Sequence, residues 1–202
     1  MKIKAWITAL IALFTLSACS AQWGVSYGEG IPAEVSRSWR LADVIAVVPE
    51  TLKVSHNNTY APSGDIVWWG EPYGDRRAQV AQIIDEALTQ GASDMRGSRP
   101  VTITATVSKF HAVTPSAIAY APAAVHNISF TVQIFDATTA QPLTPPVEMD
   151  ADLEAYVGAA AMAAAIQGEP QRVRIVNHLA AVTRGWLGFG PDQRRTFQSI
   201  GR

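Results

Sequence analysis

Two stretches of strict alternation constrain this chain more than anything else in it. Val101, Ile103, Ala105 and Val107 alternate with Thr102, Thr104, Thr106 and Ser108, and Ile128, Phe130, Val132 and Ile134 alternate with Ser129, Thr131 and Gln133. Successive side chains of a strand point to opposite faces, so each stretch predicts a strand with one apolar face. Sheets of that kind are commonly antiparallel, with one face on a core and the other in water.

Two helical stripes can cover the apolar face. Val80, Ile83, Ile84, Ala87 and Leu88 fall at i, i+3, i+4, i+7 and i+8, with Gly91 placed as a stop. Pro72 suits a first-turn position, and Gly74 moves the regular start towards Asp75. Ile175, Leu179, Val182 and Trp186 form the second stripe, predicting a helix from about Pro170 to Leu187. Leu41 to Val48 reads as a first, buried strand on Val44, Ile45, Val47 and Val48, and Pro49 ends it. After a turn at 136–140, Val147, Met149, Ala151 and Leu153 predict a fourth strand. The order is then β-α-β-β-β-α. It implies an α+β two-layer sandwich, a mostly antiparallel sheet with two helices on one face.

The ends of the chain read differently. Lys2 and Lys4, the apolar run Ala5 to Leu16 and the small pair Ser17-Ala18 have the order of a secretory signal peptide over residues 1–18. The run is too short to span a bilayer, which takes about 20 apolar residues. Leu16-Ser17-Ala18-Cys19 then resembles a bacterial lipobox, and Cys19 is the only cysteine. The resemblance implies that Cys19 becomes an acylated N-terminus facing the periplasm. Ser20 in place of Asp points to the outer rather than the inner membrane. Each buried methylene is worth about 0.8 kcal/mol, so the three chains such an anchor carries hold firmly. Residues 19–40, interrupted by Gly24, Gly28, Gly30 and Pro32, read as the lipidated cysteine and a flexible tether. In the alternative, Trp23 and Tyr27 lie at the lipid interface. Residues 41–188 form one domain, and 189–202 a polar tail.

Charge narrows the partners. The formal net charge of −1 becomes −3 without Lys2 and Lys4, leaving Lys53 and Lys109 as the only lysines. Nucleic-acid binding depends on clustered Lys and Arg, so no nucleic-acid partner is expected. His56, His111, His126 and His178 show no metal-ligand spacing, and no Gly-x-Ser-x-Gly, Ser-x-x-Lys or phosphate-cradling glycine loop occurs. The expectation is a protein without metal, cofactor or catalytic residues. A Ser-His-Asp site assembled in space stays open as the alternative, as does a purely structural surface lipoprotein. Glu148, Asp150, Asp152 and Glu154 alternate with the apolar residues of the fourth strand and read as a solvated face.

Two places are candidates for contact with a partner or ligand. Trp68 and Trp69 directly precede the first helix. Each is either a packing residue against the helix's first turns or an exposed aromatic lip, and neighbours in an extended segment point opposite ways. Ile118 and Tyr120 lie in a long apolar connection over 111–124, and long loops in compact domains are often functional.

The strand ending in Pro49, then Trp69-Gly70-Glu71-Pro72 opening a helix, and the strand–loop–strand of 101–136 are similar to auxiliary lipoproteins of ABC-type lipid transport systems and related envelope domains of unknown function. That resemblance covers about residues 41–136. It implies a non-enzymatic accessory domain that binds an envelope protein or lipid, and it brings no catalytic residues with it.

Overall fold

The computed structural model describes residues 22–198. Cys19 and the lipobox lie outside the described residues.

The architecture is built on β5 (Arg99–His111) and β6 (Ala124–Asp136), paired antiparallel. Their register sets Ile103 opposite Ile134, Ala105 opposite Val132 and Val107 opposite Phe130, all buried. Both alternations therefore fall on one face, as the sequence predicts. β2 (Trp39–Val47) runs parallel to the first part of β5, and β4 (Ile66–Val67) pairs with its last residues. β3 (Val54–Ser55) lies outside β4. On the other side, β7 (Val147–Ala151) pairs with the middle of β6, and β8 (Leu153–Ala155) with its start. β1 (Trp23–Tyr27) lies between β7 and β9 (Arg195–Phe197), antiparallel to both. The result is an α+β fold with a nine-stranded, mostly antiparallel sheet.

Two long helices cover the inner face, α2 (Arg76–Gly91) and α5 (Gln171–Trp186). Both apolar stripes are buried as expected: Val80, Ile83, Ile84, Ala87 and Leu88 on one, Ile175, Leu179, Val182 and Trp186 on the other. Asp75 caps α2, its Oδ1 accepting from the backbone N–H of Arg77 at 2.9 Å and of Ala78 at 3.2 Å. The helices close on each other at Gly91, where a Cβ would come within 2.6 Å of the Thr183 Cβ. Three shorter helices complete the set among the described residues: α1 (Ala33–Ser38), α3 (Pro115–Tyr120) and α4 (Gly158–Ile166).

Four expectations are corrected. Residues 23–40 are not a tether but β1, α1 and the start of β2. Val25 and Tyr27 are buried, and the Tyr27 hydroxyl donates to Asp192 Oδ1 at 2.7 Å, so Tyr27 is not at a lipid surface. Gly24, which reads as a chain breaker, is a close-approach residue, since a Cβ there would collide with the Arg195 carbonyl. The 189–202 segment is likewise no loose tail over its described part, because β9 pairs with β1. The first strand is not buried on both faces. Val44 is buried but Ile45 and Val47 are each 46% exposed, as follows from helices lying on one side only. The expected fourth strand breaks at Asp152, which is buried rather than solvated. Its Oδ2 accepts from the Gly24 N–H at 3.1 Å, and its Oδ1 from Asn127 Nδ2 at 2.6 Å and the Ile128 N–H at 3.3 Å. That carboxylate clasps β1, β6 and the β7–β8 break together.

Candidate functional site

At the end of the sheet where β6 begins and β5 ends, α3, α4 and the first turn of α5 enclose a cavity of about 290 Å³. Its wall is mainly apolar, with Val113 after β5, Ile118 of α3 and Met162 of α4. Five side chains with polar groups also line it: His126 of β6, Tyr156, Glu169, and Gln171 and Arg174 of α5.

His126 lies where β6 pairs with β8, its side chain on the inner face of the sheet. It is fully buried, and neither ring nitrogen has a hydrogen-bond partner among the described residues. Burial, and then the neighbouring charge of Arg174 and the presence of His178, push its pKa down to about 3. The ring is therefore neutral near pH 7, with one N–H to donate and one nitrogen to accept. Gln171 Oε1 is also buried without a partner. Arg174 Nη2 donates to the Glu154 carbonyl at 2.9 Å, and its Cζ lies 3.5 Å from the centre of the Tyr156 ring. Burial lowers the Arg174 pKa, while Tyr156, Glu169 and Glu154 act to raise it. Chemically this is a mainly apolar pocket whose polar lining carries a neutral imidazole, an amide, a guanidinium and the Glu169 carboxylate. It suits an amphiphile better than a wholly polar solute.

The residues singled out in the sequence divide. Ile118 lines the cavity, and Tyr120, two residues on, is 81% exposed beside it. Trp68 is not an exposed contact. It is fully buried, edge-on to Phe110 with ring centres 5.7 Å apart, and its Nε1 donates to Glu71 Oε2 at 2.7 Å. Trp69 is half-buried, with Arg76 Cζ 6.0 Å from its ring centre and its Nε1 enclosed without a partner. Gly70, the next residue, reaches the cavity wall. Gln171 and Arg174 carry no sequence signal that sets them apart. His126 continues the apolar phase of the β6 alternation, two residues before Ile128, so its inward side is legible in the sequence, but only the packing of α4 and α5 makes it part of a pocket.

The remaining histidines lie outside this cavity. A ring nitrogen of His111 faces the Pro62 carbonyl at 2.9 Å, and His56 packs on Tyr73 at 5.4 Å between ring centres. His178 Nε2 is buried without a partner. Among the described residues no cluster of three His, Cys, Asp or Glu could hold a metal ion, and no helix is long and apolar enough to cross a membrane.

A family model matches residues 39–202. The chain belongs to DUF6778, a family of unknown function. The DUF6778 match begins at the first residue of β2, so it covers the cavity and both long helices and leaves β1 and α1 outside. It lends no support to the likeness with ABC-transport auxiliary lipoproteins. No curated protein matches the chain. Among solved structures it is similar to a "putative lipoprotein" from Caulobacter crescentus, with 14% identity and TM-score 0.35 over 77% of this chain and 95% of that one. It is also similar to the PelC dodecamer from Paraburkholderia phytofirmans. One crystal form gives 11% identity and TM-score 0.33 over 85% of this chain and 98% of that one. A PelC variant gives 9% and 0.33 over 77% and 97%. Likenesses this distant carry no argument about function.

Proposed function

We propose that this DUF6778 chain is a non-catalytic accessory protein of the cell envelope, anchored by acyl chains on Cys19, whose domain takes a lipid-like ligand in the cavity beneath α4. An acyl segment would lie on Val113, Ile118 and Met162, and a polar head would meet His126, Gln171 and Arg174. Cys19 following Leu16-Ser17-Ala18 supports the anchor, and Ser20 favours the outer membrane, facing the periplasm.

The observation that carries the ligand is His126. A buried polar group left unsatisfied costs about 1–3 kcal/mol, and His126, whose two ring nitrogens are both buried and unpaired among the described residues, lines an apolar cavity. A ligand head that hydrogen-bonds them removes that cost. The volume sits at the lower end of ligand pockets, about 300–1,000 Å³, which favours one acyl segment over a large cofactor. A purely structural lipoprotein would have no use for such a pocket.

Intact mass of the membrane-extracted protein beside Cys19→Ser tests the anchor, which should add the mass of a diacylglycerol and an acyl group to the processed chain. Titration with a fluorescent fatty acid tests the pocket. Ala161→Trp, which fills it, should weaken probe binding at least several-fold while circular dichroism is unchanged. Equal binding by both forms refutes the pocket.

A further inference from the structure

The helix above the cavity is itself anomalous. α4 reads Gly-Ala-Ala-Ala-Met-Ala-Ala-Ala-Ile, with no polar side chain on any face. Of its residues only Ala164 is buried, while Met162 is 68% and Ile166 84% exposed. A helix apolar all round belongs in a core or in hydrocarbon, not in water.

Its neighbours share the property. Nine large hydrophobic residues are exposed among the described residues, and Tyr60, Tyr120, Tyr156, Met162 and Ile166 all lie at this one end of the sheet. Trp23 is there too. It borders a second cavity with Tyr60, Ala117 of α3 and Ala121 just after that helix, while Ile118 of α3 faces the first. The opposite end, at the β6–β7 turn, carries the Arg99–Asp136 ion pair at 2.8 Å. With thirteen residues in β6 the two ends stand about 40 Å apart.

Cys19 precedes Trp23 by four positions. Four residues span at most about 14 Å. With Trp23 fixed in β1, an anchor on Cys19 leaves this end of the domain no freedom to stand away from the bilayer.

We infer that α4 and the aromatic residues around it are a membrane-docking face. α4 lies along the lipid surface, with Met162 and Ile166 entering the acyl boundary and Tyr120 at headgroup level. Interfacial helices bury their apolar side about 5–10 Å deep, and tyrosine favours the headgroup level. The occupant is lipid, because the short reach to Cys19 brings lipid to this face. This rests on acylation of Cys19 as proposed above. It also opens the cavity towards the bilayer from which its ligand would come.

The test uses the mature acylated protein in phosphatidylethanolamine–phosphatidylglycerol vesicles. A single nitroxide is attached at Ile166→Cys, Met162→Cys or Thr138→Cys, the last in the exposed turn at the far end. The Cys19 sulfur is occupied by the anchor, so only the new thiol reacts. Labels at 162 and 166 should show a several-fold higher ratio of oxygen to aqueous-nickel accessibility than the label at 138. Nickel accessibility at 162 and 166 equal to that at 138, in protein that remains acylated and vesicle-bound, overturns the docking face and leaves the anchor standing. Spin–spin broadening between molecules at 166, with both quenchers excluded, overturns lipid in favour of a second copy. Protein that carries no acyl mass and stays in solution overturns both readings.

Discussion

Acidification should destabilise this domain well before its carboxylates protonate, and two histidines set the size of the effect. His126 is held down to about 3 by burial, and His178 to about 4, again chiefly by burial, with Arg195 and Arg174 adding to it. Unfolded histidines titrate near 6.5. Both folded values are depressed, so the associated stability is present in full above pH 6.5 and is lost as pH falls towards the folded values. At pH 4.5 the unfolded chain carries nearly two more protons than the native one. Each unit of separation is about 1.36 kcal/mol, which gives about 2.7 kcal/mol for His126 and a little less for His178. Their sum, about 5 kcal/mol, is a large part of a typical domain stability of 5–15 kcal/mol. Urea unfolding at pH 7.5 and 4.5 reads it directly, and His126→Leu isolates one half. The Leu variant forfeits no hydrogen bond, because His126 makes none among the described residues. Its stability should fall by only about half as much over the same interval. A wild-type loss under about 1 kcal/mol, or an equal loss in His126→Leu, would refute the account of a buried neutral imidazole.

Three further outcomes follow from packing and polar pairing. Glu71→Ala leaves the buried Trp68 Nε1 without its acceptor and Arg172 without one of its two carboxylate partners; a loss of about 1.5–3 kcal/mol in urea unfolding is expected. Gly91→Ala forces α2 and α5 apart at Thr183 and Ala180, which should cost about 1–3 kcal/mol and lower the melting temperature. Asp152→Ala removes the acceptor of Gly24, Asn127 and Ile128. Amide exchange in β1 should then accelerate more than in β5, whose ladder does not depend on it.

How far the fold could be read depended on the length and regularity of each element. β5, β6, α2 and α5 each repeat their apolar period several times, so one stray residue does not hide it. β1 has five residues, two of them buried, and begins beside a glycine; β9 has three residues. Neither offers a period to recognise; β1 is a strand because β7 and β9 supply hydrogen-bonding partners, and β9 because β1 does. α4 was hidden for another reason. Alanine favours helix everywhere, but its apolar residues follow no single-face pattern, so nothing in the run says whether it packs or lies open. For the site, Ile118 stood out by its place in a long apolar connection. His126 and Arg174 did not, because 48 residues of chain separate two side chains that meet only across the cavity.

Residue spacing within short windows was enough for the covered, one-faced sheet, the two long helices that cover it and the cysteine at which an anchor would attach. The tertiary structure alone decided that residues 23–40 belong to the body, that Trp68 is core, that Asp152 is a buried clasp and that a neutral histidine borders an apolar cavity. Those outcomes depend on which distant strands are neighbours and in what register. Burial and hydrogen bonding are properties of that arrangement, and no local pattern of residues encodes them.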